Sequence, residues 1–471
     1  MTANQVTSEA MPRTLTRTLA EFAAAVRLRE LDPAVAEAAR RAVLDCVGCG
    51  VSGASDPAVG RLMARLAVMG ESGACPVFGS QARFAPRAAA LVCGTMAHAL
   101  EMDDTHSFSS VHAGGPIVAG ALAACHGHDV GGERFLAAVV AGYEVACRLG
   151  MAIRGRNPYQ RGFHPTGICG VFGAATACGG VLELDAAGLQ SAWGIAGSMA
   201  GGLMSYLQNG AWTKKLQPGW AAQSGFLAAA LAADDYLGPD DIFAGRFNFC
   251  AAYADSCDPE SFLDGLGSRF EVCRMSYKRF ACCRTIHAPI TAALQIKSQP
   301  GFRAEDVDQV EVRIADEDLD LVVEPLAQKK RPATPVEAQF SMPFGVALAL
   351  VRGDAMPDDY RAVTLRDPLV RRIAEAFTYS LDEGYTRRRP REFPCDLRVR
   401  AAGRWLAAEV DAPLGDYTNP MSPDALSRKF EVLTRPVLGG AGSEALRSAI
   451  LDLGSGGAAD CVERVARLAA L

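Results

Sequence analysis

Three of the chain's seven histidines fall in one run, His98-Ala-Leu-Glu-Met-Asp-Asp-Thr-His-Ser-Phe-Ser-Ser-Val-His112. The same run carries three carboxylates (Glu101, Asp103, Asp104) and four hydroxyl side chains. Its flanks are apolar, with Ala-Leu-Val-Cys-Gly on one side and Pro-Ile-Val-Ala-Gly-Ala-Leu-Ala-Ala on the other. Ionisable groups between core-forming segments are costly unless paired or used, so acid–base chemistry is the better reading of this crowd. Asp104 and His112 are its strongest members, because the Ser-rich loop between them ends at Gly114-Gly115, where a backbone can approach a ligand. His98 reads as a hydrogen-bonded core histidine, and the bland reading of Asp103 and Asp104 is a helix cap. His98, Glu101, His106 and the Asp103-Asp104 pair could ligate a divalent ion. The spacing is not that of structural zinc, however, and Cys46-Val-Gly-Cys49 has no second pair nearby, so no metal is expected.

Two further segments bring charge to the mouths of apolar helices. Gly162-Phe-His164-Pro-Thr-Gly places His164 at a helix N-cap before Pro165, beside free backbone N–H groups suited to a carboxylate. Thr213-Lys214-Lys215-Leu-Gln-Pro-Gly219 is a basic corner without a phosphate-loop pattern, and Lys215 reads as a solvated turn residue. A third segment, Tyr277-Lys278-Arg-Phe-Ala-Cys-Cys-Arg284-Thr-Ile-His287, puts positive charge at a change in chain character, where clefts form. Seven of the 47 basic residues are lysines and forty are arginines, so each retained lysine is a better candidate for lysine-specific chemistry. Gly167, Gly170 and Gly173 lack a preceding strand and suit helix packing, and no Gly-x-Ser-x-Gly elbow is present. Together these groups describe a cleft for a small di- or tricarboxylate, with a base, an acid and cations to stabilise an enolate-like intermediate.

The elements that must position these groups are mostly helices. At 471 residues two domains are expected. Residues 14–250 read as successive helices, with Pro33 following the N-cap Asp32 and core helices rich in Ala and Gly at 116–125, 167–182 and 219–233. From about residue 268 the pattern becomes α+β. Strand-like alternation is seen at 269–273 and 307–314 and a hairpin at 392–410, with helices at 285–297, from 341, and at 368–381. Helix returns from Ser422, ending in 458–471. The expected fold is mainly α: a large helical domain (1–267), a smaller α+β lid (268–412), and a helical tail (413–471) packing back on the first. A net charge of −6 argues against nucleic acid as partner. No apolar run is clean enough for a membrane span, residues 1–9 lack a leader pattern, and fifteen scattered cysteines read as thiols of a reducing cytoplasm rather than a disulfide framework.

In order along the chain, His98-Ala-Leu-Glu-Met-Asp-Asp-Thr, His112-x-Gly, Gly162-Phe-His-Pro-Thr-Gly, Thr213-Lys-x-Leu-x-x-Gly219 and Lys278-Arg-Phe with His287 resemble the MmgE/PrpD family over nearly its full length. That family includes 2-methylcitrate dehydratase, cis-aconitate decarboxylase and iminodisuccinate epimerase. The resemblance implies a cofactor-free site between the two domains of a homodimer. It places Glu101, Thr105, His112, His164, Lys214 and Lys278 around the pocket, with Asp104 orienting or balancing a neighbour. His112 and His164 then suit an acid–base pair, Lys214 and Lys278 suit carboxylate binding, and Arg284 and Cys283 join the substrate-binding wall. This chain departs from decarboxylase-like members at Glu101, where they carry aspartate, and at Cys283, where they carry histidine. Ala113 stands for the usual proline, and Gln217 for a common histidine. The expected activity is a hydro-lyase acting on a methylcitrate-like hydroxy-polycarboxylate. An epimerase of an amino- or imino-dicarboxylate and a cis-aconitate-type decarboxylase are the alternatives within the family. A non-catalytic binding protein on this fold is the alternative outside it, and the retained histidines and lysines argue against that.

Overall fold

The computed structural model describes residues 14–155, 157–457 and 460–471. The leader expectation at residues 1–9 and the first two residues of the expected 458–471 helix lie outside the described residues. A helical body carries a smaller mixed sheet with its own helices, as the composition of each segment dictates. The helix Pro33–Gly53 starts with Asp32 accepting from the Ala34 N–H at 2.8 Å and proline in the first turn. Glycine and alanine then allow helices to touch through their backbones. A Cβ on Gly219 would lie 2.1 Å from the Leu91 carbonyl oxygen, and one on Gly94 would lie 2.8 Å from the Gly219 Cα. The helices Pro86–His98 and Thr213–Ala233 are thereby locked side by side, which brings Lys214 against His98. Gly219→Ala should force that pair apart at a cost of about 1–3 kcal/mol. The expected result is a lower Tm together with lost turnover, and unchanged values of both would show that the contact is dispensable.

The helices Gly114–Ala124, Gly132–Ala152 and Pro165–Val181 form the centre of the body. Contrary to the expectation that no segment could span a membrane, Gly132–Ala152 is long and apolar enough to do so. Its two central charges, Glu144 and Arg148, sit one turn apart and pair at 2.9 Å, and 94% of its most apolar window is buried within the fold. One apolar core gathers the helical segments to Tyr277 together with 414–469, and a second gathers most of 280–410. The tail helix Pro423–Leu451 lies along Pro33–Gly53, with Phe430 filling the space beside Gly48.

The four-stranded sheet has the order Phe377–Leu381, Val307–Ile314, Cys395–Ala401, Arg404–Val410. The first pair is parallel and the other two are antiparallel. Two local expectations are corrected. Residues 269–273 are not a strand: Arg269 and Arg274 both pair with the buried Glu271, and the chain winds into a short 3-10 turn, Glu271–Arg274, around it. Residues 368–381 are not one helix: Pro368–Glu375 is helical, and the aromatic and β-branched run after it pairs with Val307–Ile314. The cysteines also differ in one place from the thiol expectation, because Cys250 and Cys257 are joined by a local disulfide; eleven of the thirteen thiols are buried.

Candidate active site

The loop from Ala99 to Ala113 joins the C-terminus of Pro86–His98 to the start of Gly114–Ala124 and carries most of the ionisable groups. It is pinned at several points. Asp104 accepts from the Gly114 N–H at 3.0 Å and the Tyr143 hydroxyl at 2.7 Å, and His106 bonds Ser109 and Glu271. Thr105 and Ser276 exchange backbone hydrogen bonds at 2.8 and 2.9 Å, tying the loop to the segment that delivers Lys278. The Gln339 amide donates to the carbonyls of Leu100 and Ala281, a second tie between the two parts of the molecule. Glu101 occupies a left-handed backbone conformation (φ +57°), which costs a non-glycine residue of order 1 kcal/mol and persists only where the surroundings hold it.

What holds Glu101 is a pair of ammonium groups. Its carboxylate accepts from Lys214 Nζ on one oxygen and from Lys278 Nζ at 3.1 Å on the other. Lys214 also donates to His98 Nε2 at 2.7 Å, so His98 carries its proton on Nδ1 and gives it to Asp103 at 2.6 Å. Asp103 in turn lies 3.6 Å from Lys278. The circuit Asp103–His98–Lys214–Glu101–Lys278 is buried throughout. Burial alone would raise the Glu101 carboxyl, but Lys214 and Lys278 outweigh it and hold the group well below the usual carboxylate range. Asp103 is also held low against its burial, chiefly by His98 and His112. Burial lowers Lys214 despite Glu101, whereas at Lys278 the charges of Glu101 and Asp103 prevail over burial and raise it.

Two other imidazoles are set as neutral bases. His112 Nδ1 bonds the Asp104 carbonyl oxygen at 2.7 Å, which makes Nδ1 the protonated nitrogen and leaves the lone pair on Nε2. His164 stands at the N-cap position of the Pro165–Val181 helix, as the sequence implies, but its side chain turns away from the helix backbone and its Nδ1 bonds Gln217 Oε1 at 2.7 Å. Gln217 spends its N–H on the Leu203 carbonyl, so His164 is the donor and its buried Nε2 is a lone pair with no hydrogen-bond partner. Burial, reinforced by Lys278 at His112 and by Lys214 at His164, drives both well below the ordinary histidine value. The His98, His112 and His164 rings stand 4.9–6.1 Å apart.

A cleft between the helical body and the lid runs past these groups. Glu101, Thr105, His112, Lys214, Lys278, Cys283 and Arg284 all line it. His164 and Asp104 do not: His164 stands one layer behind, its ring 6.3 Å from the lining Tyr206, and Asp104 holds the loop from below. Burial and the charges of Asp45 and Asp103 raise the Asp104 carboxyl to about 7. His98, read from sequence as a core histidine, is buried with both nitrogens engaged, yet it links Asp103 to Lys214. Asp103 is no helix cap, since its carboxylate serves His98 and Lys278. His98, Asp103 and His112 are close enough to surround an ion, but both His98 nitrogens and His112 Nδ1 are already committed to hydrogen bonds, and Lys278 adds positive charge beside Asp103. The lining residues Tyr206, Phe340, Arg389 and Phe393 carry no local sequence signal, because their elements reach the cleft only through the tertiary fold.

Comparison with known proteins gives a consistent answer. Residues 17–261 match the MmgE/PrpD N-terminal domain and residues 280–454 the MmgE/PrpD C-terminal domain. The chain is 26% identical over 468 residues to the cis-aconitate decarboxylase-like protein oryM of Aspergillus oryzae, covering 95% of this chain and 96% of that protein. It is 25% identical over 449 residues to a cis-aconitate decarboxylase of Aspergillus terreus (90% of each chain), and 23% identical over 437 residues to that of Mus musculus (89% and 86%). With both domain matches spanning most of its length in the expected order, the chain belongs to the MmgE/PrpD family.

Proposed function

We propose that this protein is a cofactor-independent lyase that removes a proton next to a carboxylate of a small di- or tricarboxylate and eliminates water. The observation that carries the reading is His112, a neutral imidazole at the cleft surface whose Nδ1–H is fixed on a carbonyl, leaving Nε2 to accept a proton. In the reaction, Nε2 takes the proton from carbon, and that electron pair forms the double bond as the carbon–oxygen bond breaks. The departing oxygen leaves as water on receiving a proton from the Lys214 ammonium. Its lowered pKa makes Lys214 a better acid than an ordinary lysine. Lys278 stays charged and offsets the negative charge that develops on the substrate. His112 then returns its proton to Lys214. His164, with an unpartnered Nε2 behind the lining, is the second acid–base group of the proposal.

Decarboxylation is the second reading, favoured by the names of the relatives. It needs a proton donor to the carbanion that carbon dioxide leaves behind, and the Lys214 ammonium that protonates the leaving oxygen in the first reading is placed to supply it. NMR in deuterated buffer separates the readings. The hydro-lyase turns a hydroxy-polycarboxylate into the unsaturated acid and water. A decarboxylase given cis-aconitate releases carbon dioxide and places deuterium on carbon. An epimerase exchanges and inverts without elimination. No change in any candidate substrate would overturn the proposal. A cytoplasmic homodimer is part of the same proposal; the exposed Leu216 and Trp220 on the helix Thr213–Ala233, with Trp212 just before it, offer an apolar stripe to a second copy.

A further inference from the structure

The lid wall of the cleft presents a second polar end, built differently from the lysine end. Arg284 is 7% exposed and forms an ion pair with the buried Asp416 through Nη2. Its other terminal nitrogen, Nη1, is buried with no hydrogen-bond partner. The guanidinium lies over the Phe393 ring (4.8 Å from Cζ to the centroid), and that of Arg389 stacks on the same ring at 3.7 Å. Ser107, which lines the same cavity, is 6% exposed, and its hydroxyl is also buried without a partner. Arg284, Arg389, Phe393 and Ser107 line one cavity with His112 and Lys278, and the exposed Glu317 stands at its edge.

Buried donors without partners are costly, by about 1–3 kcal/mol each, and arginine N–H groups can be satisfied only by an acceptor. The lysine end needs no such partner at rest, because Glu101 already accepts from both ammonium groups. The unmet hydrogen-bonding capacity of the cleft wall therefore lies with Arg284 and Ser107. Two aromatic-stacked guanidiniums in fixed planes match the planar oxygens of a carboxylate better than a flexible ammonium does.

We infer that Arg284 and Ser107, braced by Phe393 and Arg389, receive a second carboxylate of the substrate, remote from the carbon that reacts beside His112. The inference rests on the carboxylate-substrate reading above and names what that reading leaves open, the end of the molecule that selects it. A dicarboxylate then spans the cleft with one end at the arginines and the other facing the histidines and lysines.

Calorimetric titration of the full-length protein with malonate, succinate, glutarate and adipate, each against the monocarboxylate of equal carbon number, tests this without turnover. Wild type is expected to bind one of the dicarboxylates ~10-fold or more tighter than its monocarboxylate. Arg284→Lys keeps a cation for Asp416 but loses the second arm, and Ser107→Ala removes only the hydroxyl. Each should reduce that preference to ~3-fold or less. Arg389→Met, which retains an apolar contact with Phe393 and leaves the Arg284–Asp416 pair in place, should weaken the dicarboxylate in the same sense. A wild type without a dicarboxylate preference overturns the inference, as does a preference that survives Arg284→Lys and Ser107→Ala. If the arginine-dependent preference is found but no polycarboxylate is transformed or exchanged in deuterated buffer, the second carboxylate site stands and the lyase reading falls.

Discussion

Replacing His112 by alanine is expected to lower kcat ~10²- to 10⁴-fold, the range for loss of a positioned general base. The fold should survive, because the ring lines a cleft and its one hydrogen bond goes to a carbonyl oxygen within the same loop. His164→Ala removes an imidazole behind the lining and should also depress kcat, and unchanged turnover there would refute its acid–base role. The pH dependence adds an independent check. Burial lowers the His112 pKa from its ordinary 6.5, so the base form persists into acid, and the acid limb of kcat/KM in wild type should fall below pH 6.5. A limb at or above that value would mean that another group supplies the base. Stability should move in the same direction. The histidines that burial keeps neutral in the native state take up protons on unfolding, so their contribution to folding is lost as pH drops below about 6.5, whereas Asp104, raised to about 7, contributes with the opposite sign.

The largest effect on stability is expected at Lys429→Met. Lys429 reaches from the tail helix to bond Asp45 at 2.5 Å and the Met102 carbonyl oxygen at 2.6 Å, with all three groups buried. Burial raises the Asp45 carboxyl although Lys429 opposes it, whereas at Lys429 the charge of Asp45 prevails over burial and raises the ammonium. Removing the ammonium leaves a carboxylate in the core, at a cost of about 3–5 kcal/mol. Thermal denaturation should register a drop of several degrees, and Lys429→Met with Asp45→Leu should recover most of it, because an apolar pair of similar volume needs no compensation. A single variant that melts within about 1 °C of wild type would show that the pair adds nothing. Because Met102 lies between Glu101 and Asp103, the single variant should also impair turnover, while Lys215, which is no solvated turn residue but a largely covered member of the helix Thr213–Ala233 paired with Asp56 away from the cleft, offers a substitution that should not.

Segments whose residue types admit one solution were legible in the sequence. Small apolar runs at 116–125, 167–182 and 219–233 could only be closely packed helices, and the alternation of Val307–Ile314 could only be a strand. Arg269-Phe-Glu-Val-Cys misled because its alternation reflects ion pairing around Glu271, not one wet and one dry face of a sheet. The helix read through 381 ran too far because a helix and a strand abut at Ala376 with no intervening turn residue. In the site, the identity of the groups was legible and their pairing was not. Lys214 and Lys278 suit substrate carboxylates as residue types, yet both are met by Glu101, 113 and 177 residues away in sequence. Arg389 and Phe393 carry no motif and become part of the site only once the sheet places them over the cleft.

The pairing of Glu101 with two lysines has a kinetic consequence. Near the histidines, two ammonium groups face two carboxylates, Glu101 and Asp103, so this end of the cleft projects little net field into a solution that meets a chain of net charge −6. An incoming polyanion is then not drawn in over long range, as it is where an open cationic funnel raises encounter rates and makes them fall steeply with salt. Capture depends instead on short-range fit once the ligand has arrived. Discrimination between competing acids therefore resides in how long each one stays rather than in how often it arrives.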